Sequence, residues 1–276
     1  MIDLHMHSTH SDGELSPAQL VEEAASLGVS VLSITDHDAV SAYFTAKETA
    51  EALGLRLISG IECNTDGEQG ELHILGYAFD PAHQRMADYV SWRQGERMKW
   101  SKAIVQVLQK LGYRIDWENC RERAGNDVIV RTHIADELVA RGYFNESGQA
   151  YQALLTKGAP AFIEREGLTA AEAIALIHEA GGKAFLAHPG IYRWEWSLAA
   201  LVEQGLDGIE VYYSQHDEAA TVYWNDMADH YRLFKSCGSD FHGYSSRSPF
   251  PPGSVACQKE ELMTWLEKVK TKEGVR

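Results

Sequence analysis

Ile2-Asp3-Leu4-His5-Met6-His7-Ser8 is the stretch on which the reading of the fold turns. It is an apolar run of strand length that carries imidazoles at alternate positions. Side chains in a strand alternate faces, so His5 and His7 share one face while Leu4 and Met6 point to the other. Two imidazoles spaced this way at a strand end can bind one metal ion, although an H-x-H pair alone is weak evidence. Asp12, followed by Gly13, lies five residues beyond His7 in a turn-like stretch. It is either a further donor or a turn residue.

Outward from this strand, six more runs have the same character: residues 31–35, 55–62, 72–78, 183–188, 208–212 and 233–238. Amphipathic helical patterns lie between several of them. Ser16-Pro17-Ala18-Gln19 reads as N-cap, first-turn proline and capping-box glutamine, with Gly28 as the stop. Thr169-Ala170-Ala171-Glu172 is a second capping box, closed by Gly181-Gly182. Asp38 is placed to cap a helix ending at Gly54. This βα rhythm predicts a mostly parallel sheet, open or closed into a barrel. The rhythm breaks between about residues 93 and 160, where 98–111 and 133–141 carry helical periodicity and strand signals are few. Residues 259–272 read as a terminal helix.

The chain has 276 residues, 45% hydrophobic and 24% charged, which suits one large domain, or one large and one small. The formal charge is −15, from 25 basic and 40 acidic residues. That argues against a duplex nucleic-acid surface, which needs clustered cations, but not against a nucleotide held where metal ions supply local positive charge. No long apolar span and no secretory leader stand out, so no membrane association and a cytoplasmic location are expected. Cys63, Cys120, Cys237 and Cys257 have no C-x-x-C spacing and read as reduced thiols.

The 12 histidines are informative through their placement. Thr35-Asp36-His37-Asp38, Gly60-Ile61-Glu62, Leu72-His73-Ile74, Ala187-His188-Pro189 and Gly238-Ser239-Asp240-Phe241-His242 each put a histidine or carboxylate at or near the end of an apolar strand. Active sites of βα barrels and doubly wound sheets are built at strand C-termini. Nine donors result: His5, His7, Asp12, His37, Glu62, His73, His188, Asp240 and His242. Mixed imidazole and carboxylate donors suit Mn²⁺, Fe²⁺ or Zn²⁺, with Mn²⁺ favoured, and nine exceed what one ion can use.

Together, DLHMHS with Asp12, TDHD, GIE with His73, AHP and GSDFH resemble the motifs of the PHP (polymerase and histidinol phosphatase) family. The resemblance implies a distorted seven-stranded β/α barrel with a cluster of two or three metals. It implies a PHP metallo-phosphoesterase barrel over residues 1–95 and 158–276, with a helical insertion, 96–157, covering the site. It also implies one ion on His5, His7, Glu62 and Asp240, a second on Glu62, His73 and His188, and a third on Asp12, His37 and His242. Asp3, Asp36 and Asp38 are expected to orient imidazoles or cap a helix. His10, His83, His178, His216 and His230 fall outside the motifs and read as ordinary surface or core residues.

Such a cluster yields a bridging hydroxide at neutral pH and neutralises phosphoryl charge, so no protein base is assigned. Arg131 and His133 open a helical pattern where a guanidinium can hold phosphate. Arg97, Lys99 and Trp100 offer two cations and an indole for a base, with Arg193 and Arg247 as weaker candidates. The expected activity is removal of the 3′-phosphate of a 3′,5′-nucleoside bisphosphate. The alternatives are 5′-3′ trimming of short oligonucleotides, histidinol-phosphate hydrolysis, a C–N hydrolase of amidohydrolase type, and a silent binding domain.

Overall fold

The computed structural model describes residues 1–67, 70–124, 129–246, 248–257 and 259–267. They form two compact units, Met1–Asp88 with Gly167–Arg276, and Tyr89–Glu166. In chain order the first unit contains β1 (Ile2–Asp3), α1 (Pro17–Ser26), β2 (Val31–Ile34), α2 (Ser41–Ala52), β3 (Arg56–Asn64) and β4 (His73–Tyr77). Helix α3 (Gln84–Lys110) leads into the second unit, which holds α4 (Trp117–Ala124), α5 (Arg131–Ala140), α6 (Ser147–Ala150) and a π-helical turn, Tyr151–Leu155. The first unit then resumes with α7 (Ala170–Glu179), β5 (Lys183–Leu186), α8 (Leu198–Glu203), β6 (Gly208–Tyr213), α9 (Glu218–Tyr231), β7 (Phe234–Gly238) and α10 (Lys259–Leu266).

The seven strands are the seven expected runs, joined in sequential order. Hydrogen bonds past the ends of β1 and β7 bring the two edges together: Leu4 N to Cys237 O, Asp240 N to His5 O and His7 N to Phe241 O, at 2.8–3.0 Å. The result is a nearly closed, distorted β/α barrel. Parallel pairing fails at one strand, because β4 runs antiparallel to both β3 and β5. A hairpin links β3 to β4 without a crossover helix, and two antiparallel neighbours can be joined that way.

Both expected capping boxes form, Ser16 with Gln19 and Thr169 with Glu172. Gly28 and Gly181 follow these helices at φ +84° and +82°, conformations that suit glycine. Asp38 caps nothing: α2 begins after Val40 without a side-chain cap, and the Asp38 carboxylate accepts the Asn64 N–H instead. The alternation in the first run is realised. Met6 enters a core cluster with Leu20, Val21, Leu32, Ile34 and Phe241, each such side chain contributing about 1.5–3 kcal/mol by burial. His5 and His7 are also fully buried, on the opposite face.

The second unit has its own core, including Trp100, Ile104, Leu108, Ile115, Ile134 and Leu138. It extends beyond the expected 96–157 at both ends, because α3 is one continuous helix that starts well before the 98–111 periodicity. Of the expected terminal helix, Lys259–Leu266 is helical; positions 268–272 lie outside the described residues, as does Arg247.

Candidate metal centre

Each expected donor is carried by a strand or by the loop leaving it. His5 and His7 follow β1, His37 follows β2, Glu62 lies in β3, His188 follows β5, and Asp240 and His242 follow β7. His73 is the exception to the strand-end expectation, since it is the first residue of β4. The reversal of β4 accounts for this: the start of an antiparallel strand lies beside the ends of its neighbours, and His73 pairs with Asn64 across the ladder.

The nine donors converge. His5, His7, Glu62 and Asp240 offer atoms that all lie within 4.8 Å of one another, as do His7, Asp12, His37 and His242, and also His37, Glu62 and His73. Glu62 Oε2 lies 3.3 Å from His5 Nε2, 3.1 Å from His7 Nε2 and 3.1 Å from His37 Nδ1. Glu62 Oε1 lies 2.8 Å from His73 Nδ1 and 3.1 Å from His188 Nε2. Asp240 Oδ1 is 3.2 Å from both His5 Nε2 and His7 Nε2, and Asp12 Oδ1 is 3.3 Å from His242 Nε2. Glu62, His7 and His37 therefore each belong to more than one group.

The electrostatics of this packing call for a cation. Burial alone would depress His5, but Glu210, Glu62 and Asp240 outweigh it and raise the imidazole well above its usual range. His7 behaves likewise and reaches about 10, held by Asp240 and Glu62. Burial opposes ionisation of Glu62, Asp12 and Asp240 as well, yet the surrounding imidazoles pull all three below the carboxylate range. His37 goes the other way. Burial, aided by His7 and His73, pushes it well below the usual value against the pull of Glu62 and Asp12.

The donor set fits metal ions. Glu62 Oε2, His37 Nδ1 and His242 Nε2 are buried without an aligned hydrogen bond among the described residues, although charged neighbours stand at 3.1–3.3 Å. Each of these residues belongs to a group of donors that lie within 4.8 Å of one another, a spacing that ligands of one cation adopt.

Neighbouring carboxylates hold the loops that carry these ligands. Asp36 accepts from Ser8 N, Ser8 Oγ and Ser11 Oγ. Asp3 accepts from the N–H groups of His5, Ser239 and Gly253, and burial lifts its carboxyl to about 6 against those bonds. These contacts are to backbone and serine, not to imidazole as expected. Backbone strain is concentrated here too: Asp38, His188 and Asp240 have φ of 52°, 30° and 56°, conformations that cost non-glycine residues energy and cluster at functional sites.

Sequence reading missed Glu210. It is fully buried, with Oε1 3.0 Å from His5 Nδ1 and Oε2 accepting the His188 N–H at 2.8 Å. The available signal was a lone carboxylate inside the apolar strand Gly-Ile-Glu-Val-Tyr-Tyr, where an unpaired charge would be costly.

The candidate substrate residues lie in the second unit. Arg131 Nη2 donates to Ile163 O, and its guanidinium lies 5.0 Å from the Trp100 ring centre and 4.8 Å from that of Phe162. Arg165 lies 5.4 Å from the Trp100 ring. Trp100 is buried and donates to Ile163 O, so cations take the place expected for a nucleobase. His133 Nδ1 accepts the Val130 N–H and closes the start of α5. Lys99 is exposed and paired with Glu96. Arg97 is buried and, with Arg93, Arg165, Lys99, Trp100 and three glutamates, lines a recess of about 220 Å³. Arg193 donates to Gly190 O in the first unit.

A cluster of nitrogen and oxygen donors on the rim of a seven-stranded β/α barrel is the site of a metal-dependent hydrolase. The chain belongs to the PHP family, whose PHP domain matches residues 3–175. It is similar to the 5′-3′ exoribonuclease Rnm of Salmonella typhimurium, 34% identical over 247 residues, covering 87% of this chain and 84% of the relative. The phosphoribosyl 1,2-cyclic phosphate 1,2-diphosphodiesterase of Eggerthella lenta is 33% identical, covering 90% and 96%. The 3′,5′-nucleoside bisphosphate phosphatase of Chromobacterium violaceum is 30% identical, covering 87% of each. Among solved structures, a metal-dependent phosphoesterase of Bifidobacterium adolescentis superposes with a TM-score of 0.85 at 28% identity, covering 97% of this chain and 96% of that one. The protein is a hydrolase of phosphate esters, which sets aside the silent-domain alternative. No helix among the described residues is long and apolar enough to cross a membrane.

Proposed function

We propose that the enzyme breaks the bond between phosphorus and the 3′-oxygen of a 5′-phosphorylated nucleotide. The first substrate class is the 3′,5′-nucleoside bisphosphates, giving nucleoside 5′-monophosphate and phosphate. The observation that carries the reaction class is the convergence of nine nitrogen and oxygen donors in overlapping groups linked by Glu62, His7 and His37. The nucleotide class is supported by similarity to the bisphosphate phosphatase. A second reading, 5′-3′ trimming of short RNA, is supported by similarity to the exoribonuclease. Both reactions break the same bond when the 5′-nucleotide is released, so one site serves either.

His5, His7, Glu62 and Asp240 would hold one ion, Glu62, His73 and His188 a second, and Asp12, His37 and His242 a third, with Mn²⁺ the favoured metal. Bound divalent ions supply an activated water and neutralise charge on the phosphoryl oxygens. The chain's own part is to aim the imidazoles and carboxylates at one another and to exclude bulk water by burial. Arg131, with Arg97 or Lys99, holds the second phosphate, which an acidic chain must bind with dedicated cations.

The test is to purify the enzyme without chelator, count metals, and assay 3′,5′-bisphosphates, 5′-phosphorylated short RNA, cyclic phosphodiesters and histidinol phosphate side by side. The expected order puts bisphosphate or short RNA first by kcat/KM. Preference for histidinol phosphate or a cyclic diester would overturn the nucleotide assignment and leave the phosphoesterase class intact.

A further inference from the structure

Strand β6 is among the strands that supply none of the nine donors, yet it touches three of them. Glu210 holds the His5 ring through Nδ1 and the His188 backbone through its N–H. Tyr213 donates its hydroxyl to Asp240 Oδ2 at 3.0 Å and accepts from Gln215 Nε2 at 2.9 Å. Residues three apart in a regular strand point to opposite faces. Glu210 and Tyr213 nevertheless reach the same cluster, because the β6–β7 register shifts between Glu210 and Tyr212. A bulge of this kind re-aims side chains and recurs beside active sites. The opposite strand makes room: a Cβ on Gly238 would stand 2.1 Å from His5 Cβ and 2.8 Å from Glu210 Oε1.

We propose that the bulged strand β6 is the alignment strand of the metal centre, with Glu210 and Tyr213 as positioning residues. Glu210 couples two ion positions: it orients the His5 ring at one and holds the left-handed backbone of His188 at the other. Two donors converge on it, His5 Nδ1–H and His188 N–H, and each needs its own acceptor oxygen. A carboxylate has two, whereas an amide of the same shape has one and presents an N–H to the other donor. The bond to Nδ1 also fixes the tautomer that leaves His5 Nε2 free to ligate. Tyr213 occupies Asp240 Oδ2 and so leaves Oδ1 facing His5 and His7. The donors Asp12, His37 and His242 make no described contact with either residue.

The proposal rests on the reading of the cluster as a metal centre, and the experiment separates the two. Full-length protein is stripped with chelator and titrated with Mn²⁺, and in parallel with Zn²⁺, while secondary structure is followed by circular dichroism. Wild type takes up metal in more than one class of site; no uptake of either ion would overturn the metal reading itself. Glu210→Gln is expected to weaken the class that depends on His5 and His188 by about 10- to 100-fold and to leave the class at Asp12, His37 and His242 unchanged. Wild-type titration curves in folded Glu210→Gln would overturn the proposal, as would equal weakening of every class. Should Glu210→Gln fail to fold, Tyr213→Phe removes one hydroxyl and tests the same strand. It is expected to weaken one class by several-fold, and unchanged binding would overturn the proposal.

Discussion

The Nε2 atoms of His5 and His7 lie 3.2 Å apart and both face Glu62 Oε2 and Asp240 Oδ1. Two nitrogens this close to each other and to two carboxylate oxygens must share either protons or a cation. Carboxylates hold the His7 imidazole up to about 10, so at pH 8 the stripped chain keeps that proton. A ligating imidazole must lose it. Uptake of Mn²⁺ at pH 8 should therefore release at least about one proton per chain, where an unperturbed histidine near pKa ~6.5 would release almost none. Calorimetric titration in buffers of different ionisation enthalpy measures this. Identical heats in all buffers would contradict it.

Asp240→Asn and His7→Ala should each lower kcat by at least about 100-fold, since each removes a ligand from a centre that supplies several kcal/mol of charge stabilisation. Bound metal should fall in parallel, while circular dichroism stays close to wild type because these groups are strand-end tips and not core apolar bodies. Full activity in either purified variant would remove that residue from the centre.

Arg131→Ala separates substrates. Loss of a bidentate charge-assisted contact from a half-buried guanidinium should cost about 2–3 kcal/mol, or about 30- to 150-fold in kcat/KM, on a 3′,5′-bisphosphate. A substrate with one phosphate should lose far less. Equal losses on both would assign Arg131 to the reacting phosphate, and no loss would confine it to the packing with Trp100 and Phe162 described above.

In the second unit, Arg141 Nε and Arg123 Nε donate to the two oxygens of buried Glu137 at 2.7 and 2.6 Å. Burial would raise this carboxyl, but the bonds from Arg141 and Arg123 lower it below the usual glutamate range. A depressed folded-state pKa gives stability that is complete above the unfolded value and is lost as pH falls through the folded one. Because both guanidiniums are near half exposed, Glu137→Gln should cost only about 1 kcal/mol at pH 7. The gap from wild type should shrink as pH drops below about 4, the ordinary glutamate range. Calorimetric melting of the full chain at several pH values gives the comparison, and a gap independent of pH would contradict the ion-pair explanation.

All seven strands were legible because each is a short apolar run bounded by turn residues or helix caps, and seven of the nine donors were legible as polar breaks near the ends of those runs, with Asp12 five residues beyond one of them. His73 was legible as a donor, but its position at a strand start was not: periodicity carries no direction, and only the hairpin shows that β4 is reversed. Arg131 and Trp100 were visible as a cation and an indole. Their stacking was not, because the contact joins α3 to α5, with α4 between them in the chain, and periodicity does not say which helices meet. The left-handed backbone at His188 and Asp240 left no trace, since neither position is glycine. Glu210 left a trace that was passed over, a charge in the middle of a buried strand.

The meeting of β1 and β7 governs when the enzyme can become active. Glu62 and His73 are eleven positions apart in sequence and are set by one local hairpin. His5 and Asp240, by contrast, come from opposite ends of the barrel's strand order and meet only after the last strand has docked against the first. A nascent chain that still lacks β7 has neither Asp240 nor His242, so the cluster cannot be completed before that strand has been made and has docked. Recovery of activity after denaturation therefore reports completion of the slowest, most non-local pairing, whereas recovery of helical signal can precede it.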